Sequence, residues 1–261
     1  MSTRFQGSTT HPRSVGTGNF QIPCWWRTTG PSISIRSVVS GNPARGSSVT
    51  NWPSSITHAI NSAFFPNDGN FNNLANAFSI NNGARVLATR SDHLDGSQNW
   101  EDRPGGMPLD FMMMPLDTMA GQSVIVGTGG SFPIFCSNNG RGFNMSGIRW
   151  GTGGMDLELS NVRFNTMANF NNEFKWRHTG AGNTTTRANR VAISCTNPTS
   201  AHASFIVAVM LDCTVFDVRS WLRARGSLHG LLLDGGGSAQ ARAEGRTGVS
   251  STRRIPVVLS M

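Results

Sequence analysis

The chain has no tyrosine and a single lysine, Lys175, so arginine carries nearly all of its positive charge. Acids are also scarce: 14 Asp and Glu against 22 Lys and Arg leave a formal charge of +8. With no Gly-Lys-Ser or Gly-Lys-Thr run, the chain has no Walker A loop. The four cysteines, Cys24, Cys136, Cys195 and Cys213, form no Cys-x-x-Cys pair, which excludes a zinc site of the usual spacing. His58, His178, His202 and His229 give no paired metal spacing either. No apolar run approaches the roughly 18 residues of a membrane-spanning helix, and the first twenty residues lack the apolar core of a signal peptide.

The positive charge suits a polyanion, but the arginines are scattered from Arg4 to Arg254 with no dense basic run. Nucleic acid is therefore not expected as the main partner. A few arginines gathered by the fold could still bind a phosphate-bearing substrate. Hydrophobic residues make up 38% and charged residues 14%, with 30 glycines and many Asn, Ser and Thr. That mixture predicts turns and short strands rather than long helices.

Residues 1–20 read as a polar arm, flexible or laid on a neighbouring copy, which leaves a homo-oligomer open. Residues 21–261 read as a single domain, because no linker or repeat divides them. "SISIRSVVS" (32–40) alternates as a strand does. "SSITHAINSAFF" (54–65) has helical or strand-end spacing, and "QSVIVGTGGSFPIFCSNNGRG" (122–142) reads as two strands joined by a glycine turn. Met112, Met113 and Met114 suit adaptable packing better than a metal site. Asp92, Asp95, Glu101 and Asp102, with His93 among them, could supply a second carboxylate, a calcium loop or an exposed turn. No other cofactor is expected.

The C-terminal third is clearer. "RVAISCT", "ASFIVAVML" and "HGLLLD" are apolar strands, and the first two suit a hairpin across which Cys195 and Cys213 either pair or stay as buried thiols. "TVFDVRSWLRARG" predicts a helix, with Thr214 and Asp217 as a capping box, Val215, Val218, Trp221 and Leu222 on one face, and Gly226 as the stop. A helix between two apolar strands is crossover logic and points to an α/β (α+β) domain with a mixed sheet.

Leu231–Leu233 should be buried on both faces, with Asp234 at the strand's carboxyl end, where open α/β sheets place ligands. Gly235, Gly236 and Gly237 remove every Cβ from the next turn, and Ser238 adds a hydroxyl. Consecutive N–H groups there could form an anion-binding nest. Equally, the segment could be a plain turn capped by Asp234.

"LLLDGGGSAQ" followed by "STRRIPVVL" resembles the signature of the phosphodiester glycosidase domain family, whose members act on N-acetylglucosamine-1-phosphodiesters. "AINSAFF", "GTGGSFPIFCSNNGR" and "RANRVAIS" resemble further elements of that family in the same order. The resemblance covers roughly residues 55–261 and is specific from about 187. It departs at Ser62 and Ala63, which replace two glycines, at Val191 and Ser194, and at Leu232 before Leu233-Asp234.

The resemblance implies a single mixed-sheet domain and a hydrolase that cleaves between a sugar's anomeric carbon and a phosphodiester. It implies Asp234 and Arg190 as catalytic residues. Asn61, Gly235, Gly236, Gly237, Ser238 and Arg253 would bind a sugar phosphate or glycan. Arg254 is the alternative to Arg253 if the match slips by one. A sugar phosphate leaves easily, so the chemistry needs most of all a group that stabilises the oxocarbenium-like carbon and donors for the anionic leaving group. Two other readings stay open: a sugar-phosphate-binding relative without turnover, and a viral or filament-forming assembly protein that uses the arm and the arginines.

Overall fold

The computed structural model describes residues 3–38, 46–62, 79–82, 84–85, 99–100, 122–128, 133–137, 143–144, 148–173, 186–196 and 204–261. The methionine run, the acids from Asp92 to Asp102, His93 and Lys175 lie outside them.

The chain begins with β1 (Arg4–Phe5), β2 (Thr9–Pro12), the long β3 (Asn19–Thr29), β4 (Ser34–Ser37) and β5 (Ala59–Asn61). β6 (Ser79–Asn81), β7 (Ala84–Arg85), β8 (Asn99–Trp100), β9 (Gln122–Thr128), β10 (Pro133–Ser137) and β11 (Phe143–Asn144) follow. β12 (Ile148–Asp156) leads to α1 (Met167–Glu173). The rest is β13 (Ala188–Cys195), β14 (Ser204–Cys213), α2 (Val215–Arg223), β15 (His229–Leu233), β16 (Ala241–Ala243), β17 (Arg246–Val249) and β18 (Val257–Ser260).

Among the described residues, eleven strands form one sheet along the path β1-β3-β14-β13-β15-β12-β6-β7, with β2 on β3, β9 on β12 and β10 on β9. Five more form a second sheet in the order β17-β16-β5-β18-β4, and β8 pairs with β11. The domain is thus α+β, built from two sheets with few helices. Within the first twenty residues, β1 and β2 pair with β3 of their own chain: Arg4 lies opposite Arg27, and Thr10 opposite Gln21.

The two sheets face each other across one core. Trp26, Val191, Ile193, Val207, Leu231 and Leu233 from the large sheet meet Ile35, Ile60, Ala241, Val257 and Leu259 from the small one. The opposite face of the large sheet, with Ile22, Ala192, Ile206, Ala208, Met210 and Leu232, packs on α1 and α2. Leu231, Leu232 and Leu233 therefore alternate between two cores, and all three are buried. This is why the strand carries no polar face.

Helix α2 forms as its residues dictate. The Thr214 hydroxyl accepts from Asp217 N–H (3.1 Å), and the Asp217 carboxylate accepts from Thr214 N–H (2.9 Å), which closes the capping box. Val215, Val218, Trp221 and Leu222 face the sheet and are buried, each contributing on the order of 1.5–3 kcal/mol. Gly226, at φ 80°, ends the run. Also on α2, Arg219 is buried and donates to the carbonyls of Leu157, Glu158, Asn161 and Phe164 and to Asn165 Oδ1. It thereby fastens the loop after β12.

The helix does make a crossover: β14 and β15 run parallel and α2 joins them. However, β13 lies between them and pairs antiparallel with both. Every ladder between the described strands is antiparallel, so the rule for ligand sites in open parallel sheets does not apply here. The position of Asp234 has to be argued from its contacts instead. The disulfide option also closes. Cys195 lies opposite Phe205, and Cys213 lies opposite Ala188 at the far end of the ladder; both thiols are free and buried, in different cores. No helix among the described residues is long and apolar enough to cross a membrane.

Candidate functional site

β15 carries the chain from the double core to Asp234, where the two sheets meet. The Asp234 N–H donates to the Ser62 carbonyl (3.2 Å), and Asn61 Nδ2 donates to the Asp234 carbonyl (2.6 Å). Asn61 Oδ1 accepts from Gln240 N–H (2.9 Å). Asn61, 1% exposed, thus ties β5 to both ends of the glycine turn. It positions this turn rather than pointing into open space.

The glycines have separate reasons. A Cβ on Gly235 would lie 2.7 Å from the Asn189 carbonyl oxygen, so this turn presses on the start of β13 too closely for any side chain. Gly236 has φ 58°, the left-handed region that favours glycine. A short 3-10 turn over Gly236–Ser238 follows.

That turn uses up two of the four expected N–H donors. Gly235 N–H bonds to the Asp234 carboxyl, and Ser238 N–H donates to the Gly235 carbonyl (3.0 Å). The N–H groups of Gly236 and Gly237 have no acceptor among the described residues. The nest is therefore half the size that the sequence suggests.

Three side chains converge. Arg253 Nη1 donates to Ser238 Oγ (2.9 Å), and the Ser238 hydroxyl donates in turn to the Asp234 carboxyl. Burial pushes the Asp234 carboxyl up to about 6 from its ordinary value of 3.8, against the Ser238 hydroxyl, the Arg253 charge and the Gly235 N–H, which all pull it down. A carboxyl titrating there changes charge close to neutral pH, as a general acid or base must. Ser238 is fully buried, whereas Asp234, Gly235, Gly236 and Arg253 are partly exposed and Gly237 is open to solvent. The polar surface thus opens at the glycine turn, next to the buried carboxyl.

Two residues that sequence reasoning missed frame this cluster. Buried Gln240 accepts from Val49 N–H (2.7 Å) and donates to the Arg253 carbonyl (2.8 Å). Ser251 Oγ accepts from Arg253 N–H (3.0 Å) and donates to the Gly237 carbonyl. Together they fix Arg253 at both backbone ends. Their partners lie 13 to 191 residues away for Gln240, a link that no local motif records.

The choice between Arg253 and Arg254 falls on geometry: Arg253 reaches Ser238, and Arg254 is exposed. Arg190 sits below the turn, with its Cα 3.5 Å from where a Gly235 Cβ would be. Its guanidinium is 3% exposed and donates to the Thr186 carbonyl (2.9 Å). Burial lowers its pKa, and its charge acts on the Cys213 thiol. The cation whose charge acts on Asp234 is Arg253.

No family model matches the sequence, and no curated protein sequence matches it. Solved structures do share its fold. The zebrafish N-acetylglucosamine-1-phosphodiester alpha-N-acetylglucosaminidase catalytic domain, auto-inhibited by its pro-peptide, superposes with a TM-score of 0.61 at 12% identity, over 100% of this chain and 82% of that one. A Burkholderia pseudomallei K96243 protein named as exported gives a TM-score of 0.52 at 9% identity, over 95% of this chain and 75% of that one. At these identities the likeness is one of architecture: the chain has the α+β fold of the zebrafish glycosidase's catalytic domain, as a distant relative in structure.

Proposed function

We propose that Asp234, Ser238 and Arg253 form the substrate site of a hydrolase that cleaves the bond between a sugar's anomeric carbon and a phosphodiester. The observation that carries this reading is the Asp234 carboxyl, raised to about 6 yet held by a buried serine that is itself held by an arginine. Above that pH the carboxylate is charged and can stabilise or attack a developing oxocarbenium carbon. Arg253 and the N–H groups of Gly236 and Gly237 offer donors for the leaving phosphate. Arg190 acts from below by holding the start of β13 against Gly235, and Asn61 sets the height of the turn. The fold shared with the zebrafish glycosidase domain supports the choice of reaction class.

A turnover screen over sugar-1-phosphodiesters, with Asp234→Ala as control, tests the reading. Hydrolysis by the native chain that the variant loses supports it, and an unchanged rate in the variant removes Asp234 from the chemistry. A second reading has one observation in its favour: among the described residues, Asp234 is the only carboxylate acting in the cluster. Saturable sugar-phosphate binding without turnover would make the protein a binding relative.

A further inference from the structure

A groove of about 620 Å³ opens elsewhere on the large sheet, with Arg4, Gln6, Trp25, Arg27, Thr28 and Ser204 among its lining. It lies at the opposite end of the strands from Asp234. Leu233 pairs with the start of β13, which pairs with the end of β14. Arg27 and Thr28, near the end of β3, pair with the start of β14.

Arg4 and Arg27 are direct register partners on antiparallel strands. Their side chains therefore leave the sheet side by side on one face, an arrangement that like charges disfavour. Neither has an acidic partner among the described residues, where the ion pair formed is Arg13 with Asp212. A third cation stands beside them. The Arg225 guanidinium carbon sits 3.8 Å above the Trp221 ring and 5.3 Å from the Trp25 ring, and the two rings meet edge to face at 5.4 Å. Its Nη1 donates to the Trp221 carbonyl (3.3 Å), and the Arg27 charge reaches it. The stacking fixes the Arg225 cation in place without neutralising it. Two arginines distant in sequence thus line one groove beside a tryptophan, a third is stacked on that tryptophan, and none of the three has an acidic partner among the described residues.

We propose that this groove binds a phosphate-bearing ligand. Arg4 and Arg27 hold the phosphate oxygens from adjacent strands, Arg225 adds charge from behind, and Trp25 forms the wall against which the attached group packs. A phosphate would relieve the repulsion between the paired Arg4 and Arg27. The site is separate from the Asp234 cluster and does not depend on that reading.

The test is calorimetric titration of the intact chain with inorganic pyrophosphate, in native protein and in Arg4→Gln, Arg27→Gln, Arg36→Gln and Arg253→Gln. The expected result is saturable binding that Arg4→Gln and Arg27→Gln each weaken by about tenfold or more. Arg36→Gln, which removes the same charge from the second sheet, leaves it unchanged. Without ligand, Arg4→Gln and Arg27→Gln unfold at the native temperature or above it, because repulsion is removed. Arginines with a structural role would lower that temperature. Absence of saturable binding overturns the proposal. So does equal weakening by Arg36→Gln, or loss of the whole signal in Arg253→Gln with Arg27→Gln unaffected.

Discussion

Asp234→Asn should make the fold more stable, and only above the pH at which Asp234 ionises. The carboxyl is raised from 3.8 to about 6 on folding, so the folded chain holds its proton more tightly than the unfolded one. That preference stabilises the fold fully below pH 3.8 and is lost as pH rises through about 6. At 1.36 kcal/mol per pH unit, the gap costs the native protein about 3 kcal/mol once the carboxylate is charged. Asparagine has the same shape and never ionises, so it avoids this cost. The Ser238 hydroxyl and Gly235 N–H can still donate to the amide oxygen, which makes the acid limb the natural baseline. Urea unfolding of both proteins across the pH range would measure the effect. The two stability curves should run together in acid and separate by about 2–3 kcal/mol above pH 7, with the variant more stable. Curves that stay parallel through pH 6 would refute the burial argument for Asp234.

Two other substitutions test the frame around the site. Gly235→Ala drives a Cβ to 2.7 Å from the Asn189 carbonyl; it should cost about 1–3 kcal/mol by urea unfolding and loosen this turn. Arg219→Met keeps the buried stem but strips donors from five acceptors in the loop after β12. A loss of about 3–5 kcal/mol is expected, with faster amide exchange in residues 157–165.

The parts of the fold that follow from local chemistry were legible in the sequence. Leu231–Leu233 had to be doubly buried because a strand with no polar alternate position has no solvent face. Thr214 and Asp217 had to start α2 because their spacing closes a capping box. The two strands before that helix form the hairpin their apolar patterns suggest. What was hidden depends on partners distant in the chain. β3 is the longest strand, yet its first two residues, Asn19 and Phe20, fall within the stretch expected as an arm, and its register against β14 shifts between Val209 and Leu211. β12 carries glycines at 151, 153 and 154, which blank the alternation that would mark a strand. The antiparallel β13 wedged between two parallel strands could not be inferred from a strand-helix-strand pattern. At the site, Asp234 and its glycines announced themselves, while Gln240 and Ser251 did not. Their role is to hold backbone groups of Val49, Gly237 and Arg253, and only the folded chain brings those together.

The most direct test of the central claim is the pH profile of kcat/KM on a sugar-1-phosphodiester that the screen identifies, in the native chain and in Arg253→Gln. The acid limb should fall near pH 6, the titration of Asp234 in the free protein. It should move to higher pH in the variant, because the Arg253 charge that holds the carboxyl down is gone. An acid limb well below pH 6, or one that Arg253→Gln leaves in place, would contradict the assignment of Asp234 and Arg253 to the site.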